Sequence, residues 1–600
     1  MNHEEILTPL ELFRSRLRDT HARWSLEAFD DLLLRSGVDE SANRLLAKTI
    51  RKLEKELDRL NTRLACWQLF RGVMWLAALA GSVLTVLWVF QLCGRQVFHM
   101  TTPAGLLSLG VAAGAFALIF GLLNRKVRHF DELVTGRQSE LKARMEEAWN
   151  MMEPLNRLYR WDSMAELVMK TLPILVIDRY LSVARLRQLL EYFKWREVGG
   201  ENVSVLACQS GAVNGNPWVV VEELCQEWGT KIYIGTKVIS WQARSYYTDS
   251  KGRMHSRLVT RSQTLVATLE KPIPVYRQSK RLIYGNEAAP ELNFSREPNA
   301  LSRADKGFWG RFKLRRAIAA LERRSRNLDD SFTIMDNREF DACFNAADRD
   351  NEQQFRLLFT PLAQQEMLKL LRDGKLGYGD DFHFRKRGMI NTLQSEHLDK
   401  LDITASPQLF RHYDLGAARR NFLAWSNEFF RALFFSFAPL FCIPLYQQHR
   451  NFQEIYKGII EGGEAAFPEH ESLINMLGEE RFRPSGAITR SILKTQTAAG
   501  AGGDAVLTIT AHAFRGRERV EYVTQFGGDG KLHRIPVHWI EYLPVSRESQ
   551  LAVCPAGTGD HLEFAEKLDT PEWQKRLRSL NADGRALLFR RGLAAFRLNR

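Results

Sequence analysis

Residues 73–93, VMWLAALAGSVLTVLWVFQLC, run for 21 positions without a charged side chain, and residues 103–123, PAGLLSLGVAAGAFALIFGLL, do the same. As a helix at about 1.5 Å per residue, each stretch covers the roughly 30 Å of a bilayer's hydrocarbon core. A pair of buried core helices is the competing reading, and it is disfavoured because soluble helices seldom run so far without a charge. Gly81 in the first stretch and Gly110, Gly114 and Ala117 in the second are small residues at which two such helices can approach closely. Arg71 precedes the first stretch, and Arg125, Lys126 and Arg128 follow the second, while the connecting loop carries only Arg95. The positive-inside rule therefore predicts a two-pass membrane protein with both termini and most of the chain in the cytoplasm and the short loop outside. The lipid bilayer is its first expected partner.

Working outward, residues 41–72 carry Leu46, Ile50, Leu53, Leu57, Leu60 and Leu64 at alternating spacings of four and three on a charged helix. That is a heptad seam and predicts a coiled-coil stalk. After the second stretch, Val127, Phe130, Val134, Leu141 and Met145 form a looser stripe at the start of a helical region over 124–195. An antiparallel pair continuing the hairpin is the economical picture, with self-association through the seam as its competitor. Residues 1–36 read as a separate helical segment, and no basic region followed by an apolar run suggests a cleaved signal peptide.

Residues 201–295 change character. VSVLACQ, WVVVEEL, KIYIGTKVISWQARSYYT and RLVTRSQTLVATLE are rich in β-branched and aromatic residues, and Asp249–Gly252 supplies a hairpin turn between two long strands. An antiparallel β domain is expected there. Residues 333–460 read as an α+β and helical domain in which ALFFSFAPLFCIPLY (432–446), too short to span, makes a buried helix rather than a re-entrant one. TAAGAGGDA (497–505) reads as a linker, 505–555 as a C-terminal β unit turning at Gly527–Gly530, and 570–600 as a basic helical tail. The fold class is thus a membrane α-hairpin with a coiled-coil stalk and cytosolic antiparallel β and α+β domains.

The net charge is +14, and residues 303–326 contribute +7 of it, with nine Lys or Arg against two acidic residues. Arg311, Lys313, Arg315 and Arg316 alternate there with Trp309 and Phe312. Such a basic amphipathic helix suits an anionic membrane surface. A solvated connecting helix with its apolar face on the protein is the equal alternative. Nucleic acid is a weaker expectation, because no known nucleic-acid module accompanies the charge. Seven scattered cysteines without a CxxC pair read as reduced thiols, and Cys208 as a buried one.

Catalytic chemistry has little sequence support. The chain lacks GxxxxGK[ST], GxSxG and HExxH, so no cofactor is expected. Asp348, Asp350 and Glu352 are close enough in sequence to gather around a divalent ion, as are Asp380 and Asp381. The first group lacks the glycine and further ligands of a calcium loop, which favours helix capping and surface charge. Adjacent carboxylates on an extended chain point to opposite faces. His512, His533 and His538 are expected on exposed strand faces.

FDACFNAADRDNEQQFRLLFTPLAQQEMLKLL (340–371) resembles a segment of bacterial membrane proteins of unknown function that are often encoded near LemA-type membrane proteins. In those, an Asp/Glu run precedes an LTP element and an amphipathic helix; here the element is Phe359-Thr360-Pro361. TKVISWQARSYYTDSKGRMHS is similar to the family's β-hairpin region. The resemblance implies the architecture and transfers no catalytic residue. The leading expectation, with the source that the resemblance implies, is a non-enzymatic bacterial inner-membrane protein whose cytosolic β and α+β domains bind a protein partner or sense a signal. A membrane-tethered metal-dependent hydrolase using the carboxylates above is the alternative.

Overall fold

A computed structural model of the chain describes residues 3–92, 101–197, 199–248, 252–302, 307–326, 332–448, 464–499, 504–557 and 561–599. The chain forms two compact units. One comprises Leu26–Tyr159 with Pro407–Ala424, and the other Met1–Ser25, Arg160–Ser406 and Trp425–Arg600.

The smaller unit is built on two long helical segments, Glu40–Leu92 and Thr102–Leu158, the second with a π-helical turn over Ile119–Leu123, each long and apolar enough to cross a membrane. Only 11% of the most apolar window of the first and 28% of that of the second is buried, so most of this apolar surface faces outward. The helices meet closely at Gly81, where an added Cβ would lie 3.1 Å from backbone atoms of Ser108 and Ala112. Gly105 admits Trp88 in the same way, whereas Gly110 and Gly114 face open space, contrary to expectation. The contact face is set by Gly105, Ser108, Ala112 and Ala115, which recur at helical spacing. Farther along, Leu57, Leu60 and Leu64 pack on Val127, Phe130 and Val134 within the chain. Part of the leucine seam is therefore covered by the chain's own second helix. The connecting loop with Arg95 lies largely outside the described residues.

The larger unit holds two antiparallel sheets. We number the strands β1 (Leu175–Ile177), β2 (Val203–Val213), β3 (Asn216–Thr248), β4 (Met254–Gly285), β5 (Asn293–Arg296), β6 (Phe382–Arg387) and β7 (Ile390–Ser395). The first sheet has the order β1-β2-β3-β4-β7-β6-β5. The expected β domain over 201–295 is thus incomplete by itself: β6 and β7, from the segment assigned to an α+β domain, complete it by pairing Ile283 with Thr392 and Tyr284 with Asn391. β1, within the region read as helical, adds the other edge. The Asp249–Lys251 part of the β3–β4 turn lies outside the described residues.

The second sheet follows the order β11-β12-β10-β9-β8, with β8 (Ile492–Ala499), β9 (Ala505–Phe526), β10 (Leu532–Pro555), β11 (Ala582–Arg590) and β12 (Leu593–Leu598). Two expectations fail here. The ends of the 497–505 linker are strand, paired from Ile492–His512 to Ala499–Ala505. The basic helical tail is a helix only over Pro571–Ser579; its remainder is a hairpin turning at Arg591 (φ +48°) and Gly592 (φ +81°). Leu593, Ala594, Ala595 and Phe596 are buried, and pairing with β10 supplies the partners that an isolated segment lacks.

The N-terminal residues are not separate either. Within the larger unit Phe13 packs on Phe430, Phe434 and Phe435, and His21 stacks on Phe430 at 4.3 Å. The 432–446 stretch is buried as expected: Phe434, Phe437, Phe441, Ile443 and Tyr446 are inaccessible to solvent.

Candidate functional site: carboxylate clusters and an exposed double ribbon

The carboxylates singled out for metal chemistry are committed to holding loops. Asp350 accepts from the backbone and side-chain nitrogens of Asn293 at 2.8 and 2.7 Å, and Asp348 accepts from the backbone nitrogen of Ser295 at 2.8 Å and from its hydroxyl. The pair clamps β5 from outside. Helix capping falls instead to Asn351, whose side-chain oxygen accepts from Gln354 N at 3.1 Å. Glu352 accepts from Thr333 N and from the buried Arg349. Asp380 forms a buried ion pair with Arg296 and accepts from Asn299 N and the Ser302 hydroxyl. No three His, Cys, Asp or Glu side chains converge to hold a cation among the described residues. His533 is engaged by Asp529 at 2.9 Å.

Asp381 belongs to a network that the sequence does not disclose. His397 Nδ1 lies 2.6 Å from Asp381 Oδ2, and its Nε2 lies 3.0 Å from Ser436 Oγ and 3.3 Å from Ser395 Oγ. Tyr378 stacks on the imidazole at 4.1 Å. An acid, an imidazole and a hydroxyl in that order are the parts of a hydrolytic relay. Ser436 is only 4% exposed, however, and its hydroxyl is positioned to donate to the Ala432 carbonyl at 2.7 Å one helical turn back. The relay thus pins the helix ending at Phe441 to the start of the Glu396–Lys400 helix. Its members are 16 and 39 residues apart in sequence, which is why no motif reveals them.

Other perturbed groups are equally enclosed. Burial lowers the Lys386 ammonium to about 7, and its Nζ donates to the Ala288 and Gly388 carbonyls. On the Phe467–Leu477 helix, burial lowers His470 to about 4 and raises Glu471 above the usual carboxylate value. Glu469 accepts from Leu181 N at 3.0 Å and from the Cys208 thiol at 3.1 Å, while Glu471 pairs with Lys494 at 2.7 Å. Burial also pushes the Cys208 thiol well up, so it stays protonated and inert, as expected of a structural thiol. These contacts tie the helix to β2 of the first sheet and β8 of the second.

The two long hairpins make an extended exposed feature of the same unit. β3 and β4 pair continuously from Trp218–Tyr284 to Thr248–Met254, and β9 and β10 from Ala505–Val553 to Phe526–Leu532. Facing sides of the hairpins share a small core of Ile239, Leu265, Ala267, Ile535 and Val537. Burying each larger aliphatic there contributes about 1.5–3 kcal/mol. At Gly235 a Cβ would lie 2.3 Å from the Pro536 carbonyl oxygen, so only glycine permits this approach. Gly528 N donates to Gln263 Oε1 at 2.7 Å, which sets the second hairpin's turn beside Trp241.

The opposite face of β3 and β4 lacks cover among the described residues. Ile232, Ile234, Val238 and Val266 are 52–71% exposed there, and past Trp241 the ribbon continues with exposed Tyr246, Met254 and Leu258. On the other hairpin, Val520, Tyr522, Phe526 and Leu532 are exposed. Residues 228–269 carry seven Lys or Arg and one Asp. A groove of about 740 Å³ lies at the ribbon's base, with Gln226, Tyr276, Lys494 and His512 in its walls.

The basic segment forms a helix over Phe308–Ser325. Arg311, Lys313, Arg315 and Arg316 are exposed, as are Phe308, Trp309 and Phe312. Leu314 is buried, and Ile318 and Leu321 are partly covered on the same side. The expected single apolar face is therefore divided between two sides. Among the topology anchors, Arg125, Lys126 and Arg128 are exposed and Arg71 is half-buried. The chain has no significant match among family models, curated proteins or solved structures.

Proposed function

We propose that this chain is a bilayer-anchored binding protein that uses the double ribbon to hold a protein partner. The spans would lie in a bacterial inner membrane, with both termini and the ribbon on the cytoplasmic side, as the flanking cations favour. The observation that carries this reading is the uncovered β-branched face of Ile232, Ile234, Val238 and Val266 on a backed, two-layer arm. An exposed apolar patch of this kind on a folded scaffold is characteristic of a protein interface. Self-association through the leucine seam is less favoured, since Leu57, Leu60 and Leu64 already have intramolecular cover. The resemblance of residues 340–371 to bacterial membrane proteins agrees with the anchored architecture and adds no residue role.

A photo-crosslinking residue at Val238, in the full chain in native membranes, tests the proposal. The expected result is one discrete adduct that disappears when Ile234→Lys is added. A folded, membrane-bound chain giving no adduct from Val238 or from Tyr522 on the other hairpin would remove the basis for it. The metal-dependent hydrolase is the second reading, and the donors bonded to Asp348, Asp350 and Asp380 weigh against it. A stoichiometric divalent ion lost in Asp350→Ala would restore it.

A further inference from the structure

The Phe308–Ser325 helix turns a narrow apolar side toward its own unit through Leu314, Ile318 and Leu321. At about 100° per residue, Phe312 projects nearly opposite that side, with Phe308 and Trp309 flanking it. These three rings are 53–74% exposed, and Trp309 lies edge-on to both neighbours at 5.8 and 6.5 Å. Arg311, Lys313, Arg315 and Arg316 border them, and no acidic residue occurs between Gly307 and Leu321. None of the four cations has an ion pair with a carboxylate among the described residues.

We infer that the Phe308–Trp309–Phe312 cluster and its four cations form a second lipid contact, which seats the helix on an anionic phospholipid surface. The stripe formed by Leu314, Ile318 and Leu321 fixes the helix to the protein, so the aromatic side is free to enter the headgroup layer. Tryptophan and phenylalanine favour that boundary, where an apolar body meets a wet edge. The cations supply the attraction to phosphate, and their lack of carboxylate partners among the described residues leaves it uncompensated. Charge complementarity alone would also admit nucleic acid. Lipid is favoured because the same chain carries two helices able to cross a bilayer, and the inference rests on that anchored reading.

The test uses the full chain in nanodiscs of neutral phosphatidylcholine, with and without phosphatidylglycerol. Hydrogen exchange is followed in peptides covering residues 307–326. The expected result is exchange slowed roughly tenfold by the anionic lipid. Trp309→Ala with Phe312→Ala should abolish the slowing, as should Arg315→Gln with Arg316→Gln, while exchange in β3 stays unchanged. Equal exchange in both nanodiscs, for a chain that has inserted, would overturn this inference alone. A chain that does not enter nanodiscs would overturn the anchored reading and this inference together. Slowing in neutral nanodiscs by added duplex DNA, with no effect of phosphatidylglycerol, would reassign the helix to nucleic acid and overturn the lipid contact.

Discussion

The helical hairpin at 73–123 and the β-hairpin at 216–285 both expose large apolar side chains, but in different patterns. On the helices, Leu76, Leu79, Leu106, Leu107 and Phe120 extend around the surface with no charge among them. On the ribbon, Ile232, Ile234 and Val238 share one face, and cations follow toward the tip. Hydrocarbon cannot solvate charge or unpaired backbone, so a lipid-facing surface must be uniformly apolar and helical or closed. An open ribbon keeps strand edges, and its edge donors and acceptors require water or a partner. Exposure of apolar area therefore does not identify a surface's solvent by itself; backbone pairing and charge spacing do.

Acidification should separate the two regions most strongly. Burial lowers His21 and His470, both in the ribbon's unit, to about 4 from an unfolded value of 6.5. The unfolded chain therefore binds more protons between these values. Their stabilisation is complete above 6.5 and lost as pH falls toward 4, at about 3 kcal/mol per histidine. Glu471, raised by burial, acts in the opposite sense and loses its contribution as pH rises. Hydrogen-exchange protection, corrected for the slower intrinsic exchange in acid, should fall in residues 467–477 at pH about 5 relative to about 7.5, with little change in 73–92. An equal fall in protection in both would break the distinction.

Asp380→Ala should cost about 3–5 kcal/mol in the same unit, because it strands buried Arg296. Denaturant titration checks this, and a loss of bound metal without a loss of stability would contradict it. In the helical hairpin, Leu109→Arg should penalise insertion by about 2.5–3.5 kcal/mol, read as reduced glycosylation-mapped spanning. Gly235→Ala should cost about 1–3 kcal/mol by forcing the two β-hairpins apart at Pro536, measured by thermal unfolding. Ile234→Arg, the counterpart of Leu109→Arg on the ribbon, should change stability by less than about 0.5 kcal/mol. It should nevertheless remove the crosslinked adduct described above, and a large loss of stability would instead mean that the face is covered.

The two apolar helices, the long strands around residues 216–285 and the Gly527–Gly530 turn were legible because their signals are local: an uncharged run, β-branched alternation and a glycine-rich turn. The pairing of β4 with β7 was not, because its partners are more than 100 residues apart. The final hairpin was misread because ALLFRRGLAAFRL is rich in good helix formers, and its strand form depends on β10. The carboxylates were found as residues but not as clamps, since their donors on β5 lie 53–57 positions away. The His397 network had no local signal at all.

The pairing of Leu551–Pro555 with Leu593–Arg597 also affects how the molecule survives its own synthesis. Until β12 has left the ribosome, Leu551, Ala552 and Val553 present unpaired backbone groups on an apolar edge. A chain stalled before β12 would keep that edge open and able to capture strands from its neighbours. Synthesis of β12 therefore decides whether β10 is an inner strand or an edge open to other strands.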